Sequence, residues 1–241
     1  SAKITGLYST QIIRHQTERL AGAAPTPGTV ALQTRAWFND NLESRNFYVP
    51  GVIAIIVMLI TLMLTSMAVV REKEIGTMEQ IMVTPITPTE FILGKTVPFA
   101  LIGFADVVLV AVVGVFWFAV PIRGSLPLLF GATALYLMTT LGIGLLISTV
   151  SQTQQQAMMS TFFFYFPAVL LSGFMFPIAN MPTVIQWLTY LNPLRYYLVV
   201  IRGIFLKGVG PGILWPQMLA LGVMGVCTLW LASRRFNKTM A

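Results

Sequence analysis

VPGVIAIIVMLITLMLTSMAVV, residues 49–70, contains no charged side chain and is closed at once by Arg71-Glu72-Lys73-Glu74. An α-helix rises 1.5 Å per residue, so a run of this length covers about 30 Å, the thickness of a bilayer's hydrocarbon core. The stretch therefore predicts a membrane crossing, and the charges predict its boundary. Working outward, comparable runs occupy residues 96–120, 126–148, 157–176 and 212–233, which gives five predicted crossings. Composition agrees, since the 241 residues are 56% hydrophobic and 10% charged with a mean hydropathy of +0.79. Soluble domains carry about 25% charge. A disordered tail and a cytosolic globule are both excluded, and the fold class is an all-α polytopic membrane protein.

The chain holds 15 Lys and Arg against 8 Asp and Glu, a formal charge of +7. The basic residues stand singly rather than along one stripe, so anionic membrane lipid explains them better than nucleic acid does. Cys227 is the one cysteine and lies in an apolar run, so an intrachain disulfide and a cysteine-based metal site are both ruled out. No crossing end gathers the His, Asp or Glu that metal or acid–base chemistry needs. No catalytic, cofactor-binding or metal residue is assigned.

Residues 177–208, PIANMPTVIQWLTYLNPLRYYLVVIRGIFLKG, are apolar yet interrupted by Pro177, Pro182 and Pro193 and charged at Arg195, Arg202 and Lys207. A helix over 194–207 would be about 21 Å long, too short to span. Short re-entrant or interfacial helices are expected instead, with Trp187, Tyr190, Tyr196 and Tyr197 at headgroup depth. A sixth crossing is the alternative, at the cost of burying those charges.

Residues 1–48 differ in character. Ile4, Leu7, Tyr8 and Ile12 recur at helical spacing, APTPG breaks the pattern, and Val30, Leu32, Thr34 and Ala36 alternate as a strand would. This predicts extramembrane αβ material, the tail of a domain whose beginning lies upstream. Lys3, Arg14, Arg19, Arg35 and Arg45 make it hard to translocate without a preceding hydrophobic segment, so an upstream first helix is expected. Basic residues flank the crossings on both sides, and the positive-inside rule leaves orientation open.

The segment REKEIGTMEQIMVTPITPTEFILGK, residues 71–95, holds the functional signal. Ile75, Met78 and Met82 fall at i, i+3 and i+7, predicting a short helix over about 71–84 that displays Arg71, Glu72, Lys73 and Glu79. Pro85 and Pro88 stop it. A helix across the end of a crossing can be pushed by a soluble partner; a solvated loop is the other reading. Leu93-Gly94-Lys95-Thr96 ends like a phosphate-cradling loop, but Thr89 stands where the first glycine belongs and no strand precedes it. Lys95 marks a membrane boundary instead.

Asp106 is the one acidic residue inside a predicted crossing, about 16 Å beyond Lys95 and near the midplane. It reads as a substrate or proton contact, or as a hydrogen-bonded tie between helices. Gly142 and Gly144 read as close-packing positions. Met158, Met159, Phe162, Phe163 and Tyr165 read as packing, or as the lining of a path for amphipathic substrates.

Two long blocks, NFYVPGVIAIIVMLITLMLTSMAVVREKEIGTMEQIMVTPITPTEFILGKTVPF and LLSGFMFPIANMPTVIQWLTYLNPLRYYLVVIRGIFLKG, resemble in the same order the central and re-entrant parts of ABC-2 type permease subunits of ABC transporters. The likeness runs from about residue 35 to 238. It is nearest to bacterial inner-membrane permeases that carry a periplasmic domain between their first and second helices and are associated with drug efflux. The resemblance implies that residues 49–241 form an ABC-2 transmembrane domain whose first helix is missing from this stretch. Residues 1–48 would be the C-terminal part of the periplasmic domain, with the C-terminus cytoplasmic. It further implies that 71–84 is the coupling helix, meeting an ATPase subunit through Arg71, Glu72, Glu74, Gly76, Thr77 and Glu79 and ending at Pro85. ATP and Mg would be bound by that partner, with no cofactor in this chain. A second permease subunit, identical or homologous, would complete a pathway for amphipathic or hydrophobic small molecules. The rival reading is an ion-coupled secondary transporter using Asp106, which moves substrate on an ion gradient without ATP.

Overall fold

Long apolar runs become long helices because, in a medium without water, the backbone satisfies its own polar groups most economically in a helix. The structure, a computed structural model, describes residues 44–77 and 88–240, and side chains within 47–77, 90 and 92–235. Of the expected αβ segment 1–48, residues 1–43 lie outside the described residues, and 44–48 are helical, the start of the first long helix. Among the described residues, the α-helices are α1 (Ser44–Ile75), α2 (Pro88–Phe116), α3 (Leu126–Val150), α4 (Gln154–Leu170), α5 (Thr183–Thr189), α6 (Pro193–Arg202) and α7 (Pro211–Met240). A 3-10 turn at Ile178–Asn180 precedes α5, and a π-helical turn at Gly203–Lys207 extends α6.

Among the described residues, four helices have the length and hydropathy to cross a membrane: Phe47–Ile75, Ile92–Phe116, Leu126–Val150 and Pro211–Arg235. The segment predicted as a crossing at 157–176 is shorter. Its helix, α4, is 17 residues, about 25 Å at 1.5 Å per residue. Ser172 and Gly173 stop it early: Ser172 Oγ turns back to the Val169 carbonyl at 2.6 Å and Gly173 adopts a φ of +80°, a left-handed conformation that glycine takes without penalty.

The prolines between 177 and 193 divide the next stretch as their chemistry requires, each lacking an N–H and fixing φ. Pro193 opens α6, where Asn192 Oδ1 accepts from the Leu194 N–H at 3.1 Å. The short helices are present as expected, but one aromatic goes elsewhere. Tyr197 is fully buried rather than at a headgroup surface, whereas Trp187 and Tyr190 are exposed. The reason is α6's strong amphipathicity: Leu194, Tyr197, Leu198 and Ile201 form one face that packs into the core.

α3 is the central helix. Its glycines set how closely neighbours approach, as small residues do between membrane helices. A Cβ on Gly142 would lie 2.4 Å from Thr228 Oγ1 of α7, and one on Gly144 would lie 2.8 Å from Thr65 Cβ of α1. From the facing side, a Cβ on Gly103 of α2 would meet Leu137 Cδ2 at 2.5 Å. Buried hydroxyls tie the same contacts. Thr61 Oγ1 donates to Thr140 Oγ1 at 3.1 Å, Thr139 Oγ1 to the Leu221 carbonyl at 3.1 Å, and Tyr136 Oη to the Ala54 carbonyl at 3.1 Å. Buried polar groups inside a bilayer need such partners.

Candidate functional site

The charged end of α1 is the first part of the site. Instead of starting a new helix at Arg71, the membrane helix continues to Ile75 and stops at Gly76, whose φ is +84° and whose N–H bonds the Lys73 carbonyl at 3.3 Å. This is a glycine helix stop. It corrects the expected start of a separate helix at residue 71: Arg71, Glu72, Lys73 and Glu74 are the last turn of the crossing itself. Glu79 and Pro85 lie outside the described residues.

Four side chains of this turn have distinct fates. Arg71 is exposed. Glu72 Oε1 pairs with Lys95 Nζ of α2 at 2.5 Å, and Thr77 Oγ1 donates to the other carboxylate oxygen of Glu72. Lys73 Nζ donates to the Ser148 and Thr149 carbonyls at the end of α3, each at 3.4 Å. Glu74 Oε2 accepts from the backbone N–H of Gln154 at 3.1 Å and from Gln154 Nε2 at 2.9 Å, at the start of α4. A small apolar cluster beneath them, Val69, Ile92, Leu145 and Ala232, joins α1, α2, α3 and α7. Gly94 and Lys95 lie well inside α2, where the helix consumes backbone N–H groups, so they form no phosphate cradle.

The second part is the outward face of α4. Met159, Phe163, Phe166 and Leu170 recur at helical spacing and are 60%, 84%, 60% and 46% exposed, while Ala157, Thr161 and Ala168 face inward. Phe162 stacks on Phe166 with centroids 6.0 Å apart. Met158 and Tyr165 are half-buried. Between α4 and α5 lies an apolar groove of about 290 Å³ lined by Phe163, Pro167, Leu188 and Leu191. Of the residues expected to line a path, Met159 and Phe163 share the open face, and Tyr165 joins the core margin. Asp106 belongs to a different helix, α2, which packs on α3 and α7. Its Oδ2 is buried, with no hydrogen-bond partner among the described residues.

Hydropathy and spacing did not single out Lys73, Gln154 or the Glu72–Lys95 pair as partners. Their only local signal is a run of charges at a membrane boundary, which does not say which helix end each charge meets.

Comparison with known proteins identifies the frame in which these features sit. Residues 1–234 match the family model described as "ABC-2 family transporter protein". The chain is 36% identical over 238 residues to the Escherichia coli (strain K12) protein named "Probable multidrug ABC transporter permease YbhR", covering 99% of this chain and 65% of that protein. To the "Probable multidrug ABC transporter permease YbhS" of the same organism it is 41% identical over 210 residues, covering 86% of this chain and 56% of the relative. The "Inner membrane transport permease YhhJ" of E. coli is 34% identical over 218 residues, with 88% and 57% covered. The chain thus spans between about half and two thirds of the length of these relatives. With 234 residues matched and relatives above 30% identity over nearly its whole extent, the chain belongs to the ABC-2 family of transporter proteins.

Proposed function

We propose that this chain is part of the permease subunit of an ATP-driven exporter of amphipathic or hydrophobic small molecules, and that a separate ATPase subunit supplies the power. The match to the ABC-2 family over residues 1–234 carries the reading, and two relatives are named multidrug permeases. ATP and Mg belong to the ATPase partner. Arg71, Glu72, Gly76, Thr77, Glu79 and Pro85 mark the docking end; the exposure of Arg71 and Gly76 supports this. A second permease copy or homologue faces the stripe of Met159, Phe163 and Phe166, and substrate passes between them. Mobile thioethers and aromatic faces suit substrates without one fixed shape. The protein resides in a bacterial inner membrane, with the residue-71 end and the C-terminus cytoplasmic and residues 1–48 periplasmic. In this topology α4 and the turns after it complete a fifth crossing, and 177–208 is re-entrant.

The test is reconstitution of the full-length protein with its ATPase subunit in proteoliposomes. Export should require ATP, and amphipathic cations and neutral drugs should stimulate hydrolysis. Charge reversal at Glu79 should abolish export while the protein stays folded. The buried Oδ2 of Asp106, unpartnered among the described residues, favours one second reading, ion-coupled transport. Movement of substrate on an ion gradient alone, lost on Asp106→Asn, would replace the first reading with the second.

A further inference from the structure

Lys73 and Glu74 are consecutive, and they grip two consecutive helices at ends of opposite polarity. A helix carries partial negative charge at its carbonyl end and partial positive charge at its amide end. The Lys73 ammonium meets the last carbonyls of α3, Ser148 and Thr149, each at 3.4 Å. The Glu74 carboxylate meets the first amide of α4, that of Gln154, at 3.1 Å and its side-chain amide at 2.9 Å. Each charge has the sign its helix end favours. Exchanged, both contacts would be repulsive.

The joint between those ends is short and internally braced. Ser151 is buried and bonds Ile147 through both its N–H at 3.1 Å and its Oγ at 2.9 Å. Thr153 caps α4 by accepting from the Gln156 N–H at 3.2 Å. Deeper in the bundle a second link holds α4 to α1, with Thr161 Oγ1 donating to Ser66 Oγ at 2.9 Å. α4 is therefore fastened to α1 at two levels, the upper by Glu74 and the lower by Ser66. Its far face carries the exposed Met159, Phe163 and Phe166. The clasp lies in the last turn of α1, which ends at Ile75, and the next residue, Gly76, is an exposed turn at a φ of +84°.

We propose that Lys73 and Glu74 are positioning residues that convert displacement of the α1 end into movement of the α3–α4 joint, and so of the apolar stripe on α4. The proposal rests on the reading of the α1 end as the docking site for an ATPase subunit. It reassigns Glu74 from a contact with that partner to an internal clasp. The outer bond, exposed to water, can break and reform as the α1 end moves; the inner one is buried and acts as a pivot.

The experiment uses the full-length protein co-purified with its ATPase subunit and reconstituted in proteoliposomes, with drug export and ATP hydrolysis followed together. Lys73→Met should keep the yield of complex and basal hydrolysis within twofold, yet lower export per ATP at least tenfold. Lys73→Arg, which keeps a cation for the same carbonyls, should restore export to within threefold. Glu74→Ala should lower export as Lys73→Met does. In a Cys227→Ser background, joining Glu74→Cys to Gln154→Cys with a short thiol cross-linker of cleavable type should stop export, and cleaving it should restore export. Wild-type export from Lys73→Met, or full export from the cross-linked protein, overturns the proposal. Loss of complex in Lys73→Met also overturns it, because the residue would then belong to docking. Failure of the functional reading looks different: wild-type protein that binds no ATPase subunit or exports without ATP.

Discussion

Tyr136 of α3 and Tyr197 of α6 lie face to face, ring centroids 4.0 Å apart and planes 6° from parallel, both wholly buried. Tyr136 donates to the Ala54 carbonyl of α1 at 3.1 Å, and the Tyr197 hydroxyl is 2.9 Å from Thr133 Oγ1. One stack thus joins a short helix to two long ones, and it explains how α6 is held inside the bundle without spanning it.

Removing the Tyr197 ring should cost far more than removing its hydroxyl. Tyr197→Ala leaves a cavity against Tyr136 and should destabilise the fold by about 3–5 kcal/mol; Tyr197→Phe should cost about 1 kcal/mol. Thermal unfolding in detergent, followed by fluorescence-detected size exclusion, reads both. Equal losses would show that the hydroxyl, not the stack, anchors α6.

Gly142 sets the distance between α3 and α7. An added methyl would sit 2.4 Å from Thr228 Oγ1 and 2.9 Å from Thr228 Cβ, so Gly142→Ala should destabilise by about 1–3 kcal/mol through overpacking. Combining it with Thr228→Gly should recover part of the loss, because the Leu229 backbone nitrogen remains 3.0 Å away. Additive costs in the double variant would refute this contact.

The Glu72–Lys95 pair matters more for geometry than for stability. Its side chains retain 22% and 33% exposure, and ion pairs this accessible to water contribute under about 1 kcal/mol. Glu72→Gln should therefore shift the unfolding temperature little while reducing ATP-driven export several-fold. A large loss of stability with unchanged coupling would reverse that assignment.

Asp106→Asn should leave ATP-driven export within about twofold of wild type if the residue is only a structural tie, because an amide costs less than a carboxylate at membrane depth. A loss of more than tenfold, with the protein still folded, would place Asp106 in the transport cycle.

The α4 stripe can be located in the assembled transporter by cross-linking. In a Cys227→Ser background, Phe163→Cys should cross-link between two permease copies in the membrane. Leu219→Cys on the outer side of α7, 57% exposed, should not. The reverse pattern would move the subunit interface to α7.

Hydropathy and proline placement made much of this architecture legible. The charge-free run at 49–70 and the broken stretch from Pro177 to Pro193 are local properties, because helix length and helix breaking depend on neighbours in the chain. Glycine spacing at Gly142 and Gly144 likewise pointed to close approach, and those glycines do face Thr228 and Thr65. Less was legible where one residue has two plausible environments. Tyr197 suits a headgroup belt as well as a core, since an aromatic ring with a hydroxyl is at home in both. α1 was cut five residues short because four charges in succession mark the end of an apolar run, whereas its backbone stops only where Gly76 turns left-handed.

Chain-local chemistry determined that the protein lives in a membrane and which ends of its apolar runs bear charge, but not where each helix begins: α1 starts at Ser44 and α2 at Pro88, ahead of the apolar runs at 49 and 96. Tertiary structure alone decided which charge meets which helix. Tyr197 and Thr133 are 64 positions apart, Glu74 and Gln154 are 80, and Lys73 and Ser148 are 75. Periodicity along a chain carries no information at such separations; the close approach of α1, α3 and α4, allowed by small residues and buried hydroxyls, supplies it.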